Sequence, residues 1–263
     1  MTEQRIGIIG AGHLGLAVAE TLVAGGLDKK RLHISHGTSA KTKAHIETAG
    51  LGECISLDNA CLCRNSDIVF IAVRPDAVSL LEGLPFYGKT VISTVAGISI
   101  ARMEALCGAS VKRVMLSGPD SIRNRTALGA FFPDDSVSKA FLTSLNVTAY
   151  PLCNEMSFHI FTAAVCLPSA YLQIELSDSS GTADLTGAYI SALPFWDELI
   201  AWSRRATPRT FSKDEKLAYI SAMATKGGVT EAIVRAIAAG HPLAEAFEHG
   251  VNRSKEIAAA NGA

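Results

Sequence analysis

At 263 residues, with 48% hydrophobic, 19% charged and 6% aromatic side chains, the chain can bury a sizeable core, which excludes a disordered polypeptide and suits a folded α/β or α-rich protein. The length fits two domains, one of ordinary size and one smaller. A formal net charge of -1 gives no electrostatic reason to expect nucleic acid or an anionic membrane as partner, so the expected partner is a small molecule.

The first half alternates short β-rich runs with helical ones. RIGIIG leads into LGLAVAETLVAGG, RLHISH into KTKAHIETAG, and DIVFIAV and KTVISTV follow, an order that predicts βαβ units and a mostly parallel sheet. A further strand is predicted over 112–116, and ALGAFFP and NVTAYPL read as the last strands of the same sheet. From Phe158 the pattern changes to alanine- and leucine-rich stretches at helical spacing: SFHIFTAAVCLPSAYLQIEL, KDEKLAYISAMATKGG and VTEAIVRAIAAG. PLAEAFEHGVNRSKEIAAA reads as a final helix, with Leu243, Ala244, Phe247 and Val251 near one face. The fold class is therefore α/β, an N-terminal Rossmann-type doubly wound sheet over 1–155 followed by an all-α domain over 156–263.

The six cysteines, Cys54, Cys61, Cys63, Cys107, Cys153 and Cys166, form no C-x-x-C pair, so reduced, partly buried thiols and no metal site are expected. The N-terminal residues run straight into a strand without a signal-peptide pattern, and no run approaches the roughly 20 apolar residues that cross a bilayer. A soluble, cytoplasmic protein is expected.

Gly10, Gly12 and Gly15 form G-A-G-H-L-G directly after the strand Ile6–Ile9, at the opening of a helix predicted to begin near Leu14. The first glycine allows a tight turn, the second lets backbone approach a pyrophosphate, and the third lets helix and strand pack, while helix N–H groups face the phosphates. After a strand and within a βαβ unit of roughly 30 residues, this spacing predicts dinucleotide binding, with Ala11, His13 and Leu14 as the rest of the loop. An NAD site usually places Asp or Glu at the end of the second strand. Here that strand ends Ser35-His36-Gly37-Thr38-Ser39, without a carboxylate. The hydroxyls of Ser35, Thr38 and Ser39 with Lys41 or Lys43 suit a 2′-phosphate, so NADP(H) is favoured over NAD(H). His36 is a candidate for adenine or the 2′-phosphate.

Several segments stand in the order found in pyrroline-5-carboxylate reductases, and the sequence resembles that family over nearly its whole length. IGIIGAGHLGLA resembles the family's opening, SDIVFIAVRP its A-V-K-P segment and STVAGISI its S-x-x-A-G-I segment. Thr225-Lys226-Gly227-Gly228-Val229-Thr230 resembles the S-P-G-G-T-T loop, and VNRSKEI the closing R-S-K-E-L. The resemblance implies NADPH-dependent reduction of a cyclic imine carboxylate, pyrroline-5-carboxylate to proline, without a metal. It implies that Asn59, Val73, Arg74 and Pro75 line the adenosine side of the cofactor and Ala96 and Gly97 its nicotinamide side. It also implies that the loop amides and a hydroxyl, mapped to Thr225, Lys226, Gly227, Gly228, Val229 and Thr230, hold the substrate carboxylate, with Thr230 reaching the ring nitrogen as the catalytic residue. Interleaving of two helical halves, giving a homodimer or higher homo-oligomer, is implied as well.

The sequence departs from the family at three places. R-V-M-P-N-T-P becomes Arg113-Val114-Met115-Leu116-Ser117-Gly118-Pro119, and the segment after it carries Arg123 and Arg125. The helical G-S-G-P-A-Y becomes Cys166-Leu167-Pro168-Ser169-Ala170-Tyr171. Lys226 replaces a proline, either placing a cation near an anionic substrate or pointing to water. The alternatives carried forward are a reductase of a different imine or carbonyl compound, and a non-catalytic dinucleotide-binding protein.

Overall fold

The computed structural model describes residues 3–177, 185, 189–209 and 212–261. Its β-branched and aromatic runs form β1 (Ile6–Ile9), β2 (Leu32–Ser35), β3 (Ile68–Ile71), β4 (Thr90–Ser93), β5 (Val111–Leu116), β6 (Leu128–Phe132) and β7 (Thr148–Pro151). They make one seven-stranded sheet in the order β2-β1-β3-β4-β5-β6-β7. All neighbours are parallel except β5 and β6.

Period-two alternation sorts the strand side chains onto two buried faces. Ile6, Ile8, Phe70, Ile92 and Val114 join one cluster. It is covered by α1 (His13–Ala24), with Val18 and Leu22, and by α2 (Ala40–Thr48), with Ile46. Ile9, Val69, Ile71 and Val91 join the other cluster. There Leu62 and Cys63 of α3 (Asn59–Asn65) and Met103 and Cys107 of α4 (Ile100–Cys107) close the layer. On the first face α5 (Pro119–Arg123) adds Ile122, and α6 (Ser136–Ser144) adds Phe141, whose ring stacks on Phe70 at 5.3 Å. Each such side chain, fully buried, contributes on the order of 1.5–3 kcal/mol before chain entropy is counted.

The chain divides into two compact units after Pro151, whereas sequence pattern alone put the change at 155. The second unit contains α7 (Ser157–Ala164), α8 (Leu167–Leu176), α9 (Trp196–Ala206), α10 (Lys213–Met223), α11 (Val229–Ala238) and α12 (Leu243–Ala260). The stretch read as one helical run is two helices bent by 45°, with Pro168 in the first turn of α8, where its missing N–H costs nothing. Among the described residues no single helix is long and apolar enough to cross a membrane. The buried face of α12 carries Leu243, Ala246, Phe247, Gly250, Val251 and Ser254, while Ala244 lies exposed. Ala244 sits only one residue from Leu243, about 100° around the helix, so its apolar character is not a packing signal.

Candidate active site

The parallel register aligns the ends of the first four strands. Ile9 stands opposite Ser35 on one side and Ile71 on the other, and Ile71 opposite Ser93. The residues that follow these four, at the carboxyl edge of the sheet, include the glycine loop, His36 and Thr38, Val73 to Pro75 in sequence, and Ala96 with Gly97. Strand order reverses between β1 and β3 at this edge, which is where open α/β sheets take ligands.

Each glycine of the loop answers a separate demand. Gly10 has φ +97°, and a Cβ there would lie 2.7 Å from the Ala72 carbonyl carbon and oxygen. A Cβ on Gly15 would lie 2.1 Å from the Gly10 oxygen, so α1 leaves β1 at glycine-only distance. At Gly12 a Cβ would meet nothing within 4 Å: the space beside it is open. Gly12 is also the N-cap of α1 and supplies no side chain to its first turn. The neighbouring helices are capped by side chains instead, α2 by Ser39, α3 by Asp58 and α4 by Ser99. The α1 terminus, with His13, Leu14 and Gly15 in its first turn, thus keeps its orphan amides and positive dipole end for an external acceptor.

The end of β2 is built more tightly than sequence pattern alone suggested. Ser35 is buried, its hydroxyl bonds the Asn59 side-chain oxygen, and its carbonyl accepts from Ala11 N–H at 3.3 Å. Ser35 therefore braces the glycine loop and the start of α3, and Asn59 is brought beside the loop through it. His36 is half-buried, with Nδ1 enclosed and without a hydrogen-bond partner among the described residues. Thr38 and Lys41 are exposed, Ser39 is spent on capping α2, and Lys43 pairs with Glu47 at 3.8 Å. Beyond β3, Arg74 is exposed beside Asp76 at 3.3 Å. Beyond β4, Thr94 Oγ1 donates to the Ile71 carbonyl at 3.0 Å, Gly97 turns with φ +69°, and Ser99 caps α4. Ala96 is left exposed at that turn.

The hydroxyl of Ser117 serves the fold. It accepts from Leu128 N–H at 3.0 Å and bonds the Ser121 hydroxyl at 2.8 Å, closing the connection between β5 and β6. Arg123 is likewise taken up by Glu20 of α1 at 2.8 Å and Asp120 at 3.4 Å.

In the helical unit, residues 225–230 turn between α10 and α11. Gly227 has φ +71° and is held at both ends: its N–H donates to Glu231 Oε2 at 2.6 Å and its carbonyl accepts from Arg253 Nε at 2.7 Å. Gly228 N–H donates to the Thr225 carbonyl at 2.9 Å, and a Cβ on Gly228 would lie 2.4 Å from Thr225 Oγ1. Gly228 caps α11 without a side chain, so the amides of Val229 and Thr230 belong to a first turn with no side-chain acceptor from the cap. Thr230 Oγ1 donates to the Cys166 thiol at 3.2 Å, and Cys166 Sγ donates to the Thr162 carbonyl at 3.2 Å. Burial pushes the Cys166 thiol up to about 11, with the Thr230 hydrogen bond acting in the opposite direction. Lys226 is exposed. On one side the loop opens into a cleft of about 610 Å³ lined by Gly227, Glu231, Arg235, His249 and Arg253.

Residues 5–97 match the family model described as NADP oxidoreductase coenzyme F420-dependent. A pyrroline-5-carboxylate reductase of Treponema pallidum (strain Nichols) is 36% identical over 107 residues, 40% of each chain. Over 96% of its length the fold matches the 1-pyrroline-5-carboxylate reductase of Streptococcus pyogenes, covering 98% of that chain with a TM-score of 0.62 and 22% identity. Over these 107 residues the chain is similar in sequence to a pyrroline-5-carboxylate reductase, and over nearly its full length it is similar in fold. Its alignment spans less than half the length of the curated relatives it matches, 40% for the Treponema protein, whereas the fold likeness runs through both units. A pyrroline carboxylate reductase of Plasmodium falciparum, solved with NADP bound, superimposes with a TM-score of 0.60 at 20% identity over 98% of this chain and 99% of that one.

Beside the reductase-like motifs, Glu231, Arg253 and Cys166 shape the loop and were not singled out as site residues from the sequence. Glu231 had a signal, being the third residue of α11 at capping-box spacing from Gly228. Arg253 stands in the closing VNRSKEI segment and Cys166 opens the altered helical segment, but their contacts with the loop cross long sequence separations that spacing does not show.

Proposed function

We propose that the chain is an NADPH-dependent reductase of a small cyclic imine carboxylate, pyrroline-5-carboxylate giving proline, acting as a homodimer or higher homo-oligomer. The observation that carries the reading is the aligned carboxyl edge of β1 to β4, where an open glycine, an uncapped helix terminus and a carboxylate-free β2 end lie in one row. The cradle fits a dinucleotide: Gly12 leaves room for a pyrophosphate, and the first-turn amides of α1 donate to it. Thr38 and Lys41 offer a hydroxyl and a cation to a 2′-phosphate, and no acid there competes for a ribose hydroxyl. Asn59, Val73, Arg74 and Pro75 flank the adenosine side, Ala96 and Gly97 the nicotinamide side.

A bound nicotinamide supplies the hydride. The helical unit supplies the substrate loop, in which the amides of Val229 and Thr230 and the Thr225 hydroxyl receive a carboxylate, and the Thr230 hydroxyl meets the imine nitrogen. Gly227 and Gly228 contribute by shaping the turn, since their own amides are engaged within the loop. Orientation of this kind is worth about 7 kcal/mol or more of the barrier when both reactants are held.

The test is oxidation of NADPH by the purified protein with pyrroline-5-carboxylate, with proline measured as product, beside other cyclic imines and 2-oxo acids. Catalytic proline formation supports the reading. NADPH binding with turnover of another imine or keto acid alone would replace the substrate, and binding without any turnover would leave a dinucleotide-binding protein.

A further inference from the structure

We propose that Cys166 is a positioning residue for Thr230, committing the threonine's proton to its thiol so that the hydroxyl offers the substrate only lone pairs and the site selects an imine already protonated on nitrogen. The inference rests on the reading of Thr230 as the group that meets the imine nitrogen.

A hydroxyl has one proton and two lone pairs, a thiol one proton and a weakly accepting sulfur, and a carbonyl can only accept. The chain of bonds Thr230 Oγ1 to Cys166 Sγ to Thr162 carbonyl, each 3.2 Å, therefore has one possible direction. The carbonyl fixes the thiol proton, which leaves the sulfur to accept, which fixes the threonine proton in turn. Thr162 is itself set in α7, where its hydroxyl donates to the Phe158 carbonyl at 2.7 Å. Burial of the thiol keeps it protonated at neutral pH, so the direction is not reversed by ionisation.

A neutral imine nitrogen needs a donor, and Thr230 has none left to give. A protonated imine presents N–H and needs an acceptor, which Thr230 provides. Hydride addition to the carbon of C=N–H⁺ then moves the π pair onto nitrogen as the lone pair of a neutral secondary amine, and Thr230 neither gains nor loses a proton. The substrate class is thereby narrowed to iminium ions that carry an N–H. By the resemblance noted above, position 166 is glycine in the related motif, so this polarity is a property of the present sequence.

The experiment compares wild type, Cys166→Ala and Cys166→Ser in NADPH oxidation with pyrroline-5-carboxylate and with an N-methylated pyrrolinium ion that has no N–H, alongside NADPH affinity measured by fluorescence. Cys166→Ala is expected to lose about tenfold in kcat/KM on the N–H substrate, the loss of one hydrogen bond, and to narrow the preference over the N-methyl compound by a similar factor. NADPH affinity stays unchanged. Cys166→Ser, which can accept and donate in the same sense, restores both within about threefold. Wild-type kinetics in Cys166→Ala, an unchanged substrate preference, or a serine variant as impaired as the alanine one with NADPH binding intact, overturns the proposal. If the wild type oxidises NADPH with no imine at all, the proposed function falls first and the Cys166 role falls with it.

Discussion

Gly10, Gly12 and Gly15 stand within six residues of one another, yet the contacts around them separate ligand effects from folding effects. A side chain at Gly10 or Gly15 strikes the protein's own backbone, so a loss of cofactor affinity there would be mixed with misfolding. A side chain at Gly12 strikes nothing in the chain. Gly12→Val is therefore expected to fold, losing at most about a few degrees in melting temperature from the poorer cap on α1, while its NADPH affinity, followed by fluorescence titration, drops about tenfold or more. Unchanged affinity would remove the pyrophosphate from that position. Thr230→Ala is expected to lower kcat about tenfold with NADPH affinity intact, and equal loss of both would contradict its assignment to the substrate. At this scale the glycines were legible because their spacing reports backbone geometry directly. Ser35 was read as an open hydroxyl because sequence shows that a side chain is polar and not which neighbour claims it.

Strands and helices were legible where periodicity is strong. The alternation of Ile8 and Ile9, and of Phe70 and Ile71, between the two faces of the sheet is written in near-continuous apolar runs flanked by helical patterns. Helix α9 was not anticipated. Its length is broken by Asp197 and Glu198 in the first turn and Arg204 and Arg205 in the last, a placement that favours the helix dipole but departs from the alanine- and leucine-rich pattern of the other helices. At the start of the sheet, Arg5 and Asp67 tie β1 to β3 through a 2.8 Å ion pair and a 2.8 Å bond from Arg5 N–H to the same carboxylate. The side-chain hydrogen bond from Arg5 holds the Asp67 carboxyl at about 2, below its usual 3.8. Since the folded-state value is the lower one, the contribution is complete above a pH near 4 and disappears as the pH falls towards 2. The pair is partly exposed, so Asp67→Asn should lower the melting temperature at neutral pH by at most about 2–3 °C. Calorimetry across that acid range should show the gap closing; a gap that persists at the lowest pH would assign the effect to packing.

For the molecule as a whole, two halves of different character were legible from the change of period near residue 155, and the two compact units divide after Pro151, at the end of β7. The turn between α10 and α11 was legible only as a motif, because two of the groups that hold it, Cys166 ahead of α8 and Arg253 of α12, are far away in sequence. Assembly belongs to this scale too. Sedimentation should give at least twice the 27.7 kDa of one chain, and a monomer at micromolar concentration that still turns over imine would overturn the proposed homo-oligomer.

Glu231 and Arg253 grip the peptide groups on either side of the Gly227 α-carbon, the backbone position that would otherwise turn most freely. With both neighbouring amide planes pinned, the turn behaves as a fixed jaw and not as a flap. Any ligand received there would meet a lock whose wards are cut before the key arrives, and the exchange of the Gly227 amide with solvent deuterium should be as slow as that of the first bonded turn of α11.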